Sequence, residues 1–246
     1  MPFTFAHPAI VLPLLKNKNR YFSATGLIVG SMAPDFESFI NFGDRKVYSH
    51  YWSTAFLYDI PIALIACFVF HLVVRDALIK NLPSAIKSRF VFGIAFDWLL
   101  HFKNKYYIII PSIVIGILSH LFWDAFTHLN FMYPNSKSST ISIYHFRIYI
   151  LLQYFCSIIG LIVITRSLIL LPKKRIQKDS TGKFEYWIYI ILLSVLIASY
   201  VFTNVSDQDS IDFIYVINVS ISSALLSLVS ISAVYRVLVF RRQQLL

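Results

Sequence analysis

Charge is scarce in this sequence, and negative charge is scarcest. Of 246 residues only 14% are charged, 12 of them Asp or Glu against 22 Lys or Arg. An ordinary soluble domain carries about a quarter charged residues, and it is excluded further by a content of 57% hydrophobic and 17% aromatic side chains. Cysteine is nearly absent: Cys67 and Cys156 both fall inside apolar runs, which excludes a disulfide framework and a cysteine metal site. Any metal must then be held by His and carboxylates. There is no internal repeat and no Gly/Ser-rich or Pro-rich linker, so residues 1–246 read as one integral membrane domain. No basic segment followed by an apolar core and a small-residue cleavage site opens the chain, so no removable signal peptide is expected. The net charge of +10 would suit nucleic acid, but the Lys and Arg residues sit in short segments between long apolar runs. That distribution orients a membrane protein, and nucleic-acid binding is not expected.

Five stretches are long enough to cross a hydrocarbon core of about 30 Å, which takes about 20 helical residues: 53–74, 106–128, 148–171, 186–202 and 211–235. The expected fold is therefore all-α, a polytopic bundle of about five spans. Two shorter apolar segments, 21–33 and 90–102, suit re-entrant or interfacial helices, and Pro34 should break the first of them just before Asp35. Residues 1–130 form the region of a candidate metal site, and 131–246 supply anchoring helices. Small residues on two segments, Gly26 with Gly30 and Ser220, Ser223, Ser227 and Ser230, allow close helix approach and are read as packing.

Basic residues place the loop of Lys173, Lys174, Arg175, Lys178 and Lys183, the tail of Arg236, Arg241 and Arg242, and the segment 75–105 on the cytoplasmic side. His50, His120, Asp124 and His128 then lie toward the outer face of the cell membrane. Lys16, Lys18 and Arg20 resist this scheme. Were they cytoplasmic, residues 21–42 would form a sixth span with His7 on the opposite side.

The sharpest chemical signal is the run from Ser119 to His128. Positions four apart share a helix face with Cβ atoms roughly 6 Å apart, so His120 and Asp124 can grip one cation, and His128 continues the face. Such a stack is expensive in lipid and must face protein or water. The plainer alternative is a hydrogen-bonded polar seam between helices with no metal. Asp35 and Glu37 follow the expected helix break and can supply one carboxylate as ligand and another as base or orienter. His50 and His7 are each weak alone, His50 as an ordinary interfacial side chain. Together these residues form the imidazole and carboxylate set of a hydrolytic zinc, manganese or iron site. Asp97 and His101, also four apart, are assigned an interfacial or structural role. His71 and Arg166 are expected to snorkel or bond backbone carbonyls.

The opening Met1 to Ala9, the stretch Gly30 to Glu37 and the Ser119 to His128 segment resemble the hallmarks of an uncharacterised bacterial membrane family, domain of unknown function 4184. Behind it stands a more distant likeness to membrane-bound metal-dependent hydrolases and to the zinc-dependent phospholipase C and nuclease group. That resemblance implies a centre built from His7, Asp35, His50, His120 and Asp124, with His128 available to a second ion. The soluble enzymes also carry a later His-x-x-x-Glu pair, whereas His145 here is followed by Tyr149, so one or two ions are expected rather than three.

The expected activity is hydrolysis of a phosphodiester or ester by metal-activated water, with Asp35 or Glu37 receiving the proton. Membrane lipids are the expected surroundings and a lipid-like molecule the expected substrate. Two other classes stay open. A transporter or ion-handling protein would line its pathway with the same residues, and a noncatalytic assembly protein would use them only as a packing seam. Oligomeric state is not specified by the sequence.

Overall fold

The computed structural model describes residues 3–15, 21–43, 55–127, 143–175, 184–204 and 213–244, without the side chains of 55, 127, 143–149 and 239–244. Among these every regular element is helical. Five helices are long and apolar enough to cross a membrane: Phe56–Asn81, Trp98–Phe126, Ile150–Ile169, Phe184–Asn204 and Phe213–Leu238. Each corresponds to one of the five expected stretches. The first runs further at its C-terminal end than hydropathy suggested, because Arg75, Asp76 and Lys80 are no obstacle to helical geometry while the residue before Pro83 is disfavoured in it.

Contacts group the described chain into two compact units. The first draws on residues 1–36, 48–64 and 102–170. Its centre is the seam where the short helix Ala24–Gly30 lies on the long helix Trp98–Thr127, whose Ile109, Ile113 and Ile117 are fully buried. Three glycines permit this approach. A Cβ at Gly26 would stand 2.7 Å from the Ile109 carbonyl, one at Gly30 would strike the Ile113 backbone, and one at Gly116 would stand 2.6 Å from the Leu27 carbonyl and 2.7 Å from the Ser31 nitrogen. Ser23 caps the short helix by accepting from the Gly26 N–H, and its own N–H donates to Ser112 Oγ at 2.9 Å. The turn Thr4–Ala6 packs on the helix Ile143–Ile169, where Gly160 leaves room for Ala6.

The helix at Phe56 begins as a π-helical turn, Ala55–Asp59. Pro61 accounts for it. Proline lacks the N–H that an α-helix would direct to the Leu57 carbonyl, and its ring crowds that carbonyl, so the turn widens.

The second unit draws on residues 37–47, 65–101 and 171–246. Ala77, Tyr186 and Ile190 form its core with Trp187, Leu228, Ile231 and Tyr235. Tyr186 Oη and Ser232 Oγ share a hydrogen bond at 2.8 Å, and Trp187 Nε1 donates to the Asn81 carbonyl at 2.8 Å. The serine stripe is rotated from the expected one: Ser222, Ser223, Ser227 and Ser232 are buried, whereas Ser220 is exposed.

The segment 90–102 is not one short helix. The helix Ser84–Phe90 tightens into a 3-10 turn, Val91–Gly93, the chain breaks at Ala95 with φ +61°, and Trp98 already belongs to the long helix. Asp97 is the reason for the restart: its Oδ1 accepts the Leu100 N–H at 2.9 Å as a helix cap. His71 likewise differs from expectation. Its ring stacks on Trp98, centroids 4.1 Å apart, and its Nδ1 accepts from the Arg75 guanidinium at 3.1 Å.

Candidate metal centre

Four polar side chains meet inside the first unit, and each arrives by a local device. His7 stands at the joint between the turn Thr4–Ala6 and the helix Pro8–Val11, with Pro8 at the first helical position, where proline is favoured. Asp35 ends the 3-10 turn Ala33–Asp35 that follows the helix Ala24–Gly30. The α-helix therefore stops at Gly30, earlier than Pro34 alone predicts. His120 and Asp124 come from successive turns of one face of Trp98–Thr127.

All four are buried, with His7 1%, His120 0%, Asp35 2% and Asp124 5% exposed. At such exposure water does not screen their interactions. His7 Nε2 lies 3.3 Å from Asp124 Oδ1. His120 Nε2 lies 3.5 Å from Asp124 Oδ2 and 4.0 Å from Asp35 Oδ1. The two imidazoles are stacked, with centroids 4.0 Å apart and planes inclined by 15°.

The other ring nitrogens decide what these distances mean. His7 Nδ1 is 3.2 Å from the Thr4 carbonyl and His120 Nδ1 is 2.8 Å from the Ser31 carbonyl. A carbonyl only accepts, so both Nδ1 atoms carry the proton. In its neutral form each ring then turns its Nε2 lone pair toward carboxylate oxygen. Like-signed electron density on both sides calls for a positive species between them, a metal cation or protons on both rings. The buried group of His7, His120 and Asp124 could hold such a cation. A backbone carbonyl behind a ligating His, fixing its tautomer and orientation, is the usual support of a metal site.

The spacing also fits. The ligand atoms of His7, His120 and Asp124 lie within 4.8 Å of one another. An ion about 2.0–2.1 Å from each of its tetrahedral ligands separates them by about 3.3–3.4 Å, and the two imidazoles approach Asp124 at 3.3 Å and 3.5 Å through its two different oxygens. Asp35 is oriented from behind: the Thr4 hydroxyl donates to its Oδ2 at 2.6 Å, leaving Oδ1 on the His120 side.

Of the residues singled out from sequence, His7, Asp35, His120 and Asp124 are brought together. His50 and His128 lie outside the described residues. Glu37 is buried on the first turn of the helix Phe36–Ile40 and groups with the second unit. Two further residues carry no motif in the sequence. Thr4 serves the centre twice, through its carbonyl to His7 and its hydroxyl to Asp35. Asp59 is fully buried in the turn Ala55–Asp59, which packs against the turn carrying Asp35. An acid inside an apolar run is itself a functional signal in a membrane chain, and it would have drawn notice to Asp59.

A family model, described as Domain of unknown function (DUF4184), matches residues 1–240. The match carries the family and no activity. No curated protein and no solved structure matches the chain.

Proposed function

The chain belongs to the Domain of unknown function (DUF4184) family, and from its buried centre we propose that it is a membrane-embedded metal-dependent hydrolase acting on a phosphodiester or ester of a lipid-like substrate. The observation that carries this reading is the pair of imidazoles whose Nδ1–H groups are held by the Thr4 and Ser31 carbonyls and whose Nε2 atoms converge on Asp124 and Asp35.

His7, His120 and Asp124 would be the ligands, a three-residue His/carboxylate set of the kind that leaves one coordination position for water or substrate. The mixture of nitrogen and oxygen donors suits zinc, with manganese or iron as the other borderline choices. Such an ion supplies Lewis acidity, lowering the pKa of a water and polarising a phosphoryl or carbonyl oxygen. Asp35, whose Oδ2 accepts from the Thr4 hydroxyl and whose Oδ1 lies on the His120 side, would take up the proton released. The substrate assignment follows from the surroundings. His120 and Asp124 sit near the end of a span, where the bond cleaved would be that of an amphiphile at headgroup depth. The distribution of Lys and Arg along the sequence supports a centre toward the outer face of the cell membrane.

The test uses the full chain in lipid vesicles, loaded with Zn²⁺ or Mn²⁺ and given phosphodiester and carboxylic ester probes with acyl tails. Turnover should disappear with a chelator and return with the ion. Asp35→Asn should keep its ion yet lose about 100-fold or more in kcat, the usual range for a general base. Wild-type turnover that Asp35→Asn matches on both probes would remove the proposal.

A further inference from the structure

We propose that the groove on the helix Ile143–Ile169 around Arg166 is a binding site for one anionic phospholipid, its phosphate on the Arg166 guanidinium and an acyl chain along the apolar side chains beside it. None of these residues belongs to the metal centre, so neither assignment depends on the other.

Charge is the first ground. Within the span Ile150–Ile169 the one charged side chain is Arg166, and no Asp or Glu occurs in the sequence between Asp124 and Asp179. Its own helix therefore offers no counter-ion. Arg166 is exposed, and among the described residues its guanidinium has no hydrogen-bond or ion-pair partner, so the backbone carbonyl expected for it does not take it up. An arginine keeps its charge at any working pH, and on a membrane helix such a charge is costly unless it is paired.

Shape is the second. Ile158, Leu161, Ile162, Thr165, Arg166 and Ile169 recur at steps of three and four, which sets them on one helix face, and they line an open groove of about 500 Å³. Ile158 and Ile162 are each 59% exposed, so the chain itself does not cover the groove. The same helix meets the amino-terminal turn through other residues, Gly160 beside Ala6 and Ser157 Oγ accepting the Phe3 N–H. What fills the groove must be apolar along its length and negative where it meets Arg166.

Depth selects the phospholipid. Arg166 is three residues from the end of the span, about 4.5 Å at 1.5 Å per residue, and its long side chain reaches from there to the headgroup layer. A guanidinium holds phosphate through two parallel hydrogen bonds, and the neighbouring Thr165 hydroxyl is a further donor. A zwitterionic lipid would bring its own cation to the same place, whereas an anionic one supplies the missing negative charge.

The experiment takes delipidated, full-length protein in detergent, gives it mixed micelles of equal phosphatidylglycerol and phosphatidylcholine, and counts bound lipid by native mass spectrometry. Wild type should hold one phosphatidylglycerol in preference to phosphatidylcholine by about fivefold or more, the effect of one cation on an anionic lipid. Arg166→Gln should lose that preference and Arg166→Lys should keep part of it. Ile162→Trp, which fills the groove and leaves the cation, should lose the lipid as well, and Lys103→Gln on another helix should change nothing. The wild-type preference decides the matter even should a variant fold poorly. Equal binding of the two lipids by wild type, or an undiminished preference in folded Arg166→Gln, would overturn the proposal. Displacement of the lipid by glycerol 3-phosphate alone would assign Arg166 to a free phosphate ester and overturn it too. So would a lipid-free dimer that Arg166→Gln dissociates, since the groove would then be covered by a second copy of the chain.

Discussion

His120→Ala should lower divalent-cation affinity by more than about 100-fold. Losing a hydrogen bond behind a ligand costs about 10–100-fold in metal affinity, and this substitution removes the ligand itself. His120 also joins the two carboxylates: its Nε2 is 3.5 Å from Asp124 and 4.0 Å from Asp35. Without it the two acids face each other across a fully buried space. The variant should therefore also be less stable, by roughly 3–5 kcal/mol where a buried charge loses its partner. Competition against a chromophoric chelator reads the affinity, and thermal unfolding in detergent reads the stability. His101→Ala on the same helix is the control. It lies about 28 Å along the axis at 1.5 Å per residue, in an aromatic setting beside Phe96, and should leave the affinity unchanged. Equal affinity in His120→Ala and wild type would mean that His120 ligates nothing.

Gly116→Ala should weaken metal binding about 10–100-fold although Gly116 offers no ligand atom. The added Cβ would stand 2.6 Å from the Leu27 carbonyl and 2.7 Å from the Ser31 nitrogen, and backbone atoms cannot swing aside as a flexible side chain would. The helix Ala24–Gly30 must withdraw, carrying with it the Ser31 carbonyl that accepts the His120 Nδ1–H at 2.8 Å. Loss of that orienting bond sets the expected fall in affinity, and the overpacking adds about 1–3 kcal/mol of destabilisation. Gly93→Ala is the matched control, because a Cβ there meets only Ile79 Cδ1, at an ordinary 3.4 Å. A Gly116→Ala protein with wild-type unfolding temperature and wild-type metal affinity would separate the glycine seam from the centre.

Much of this architecture is legible in the sequence, and the boundary of legibility has a physical cause. Membrane spans announce themselves because lipid demands an unbroken apolar run of fixed length, so all five were visible. His120 with Asp124, and Gly26 with Gly30, were visible because helical periodicity is a short-range rule. The partners of those pairs were not. His120 finds the Ser31 carbonyl 89 residues away and His7 finds Asp124 117 residues away, and no period relates such positions. Gly116 is equally mute until the helix it accommodates is in place. The restart at Trp98 could have been read from Asp97, a good helix cap, yet its spacing to His101 drew attention to a different role. Asp59 is masked in the sequence by the high average hydropathy of the run around it.

The proposed function requires that the imidazoles of His7 and His120 and the carboxylate of Asp124 enclose a cation. Elemental analysis of the full chain, purified gently without chelator and dialysed against metal-free buffer, tests it most directly. At least one equivalent of a divalent transition metal should remain with the wild type, and His7→Ala prepared alongside should retain almost none. A wild type that emerges free of metal, takes none up on addition and unfolds at the same temperature with or without a chelator would contradict it, and the buried cluster would then be a protonated His/Asp seam that holds helices together.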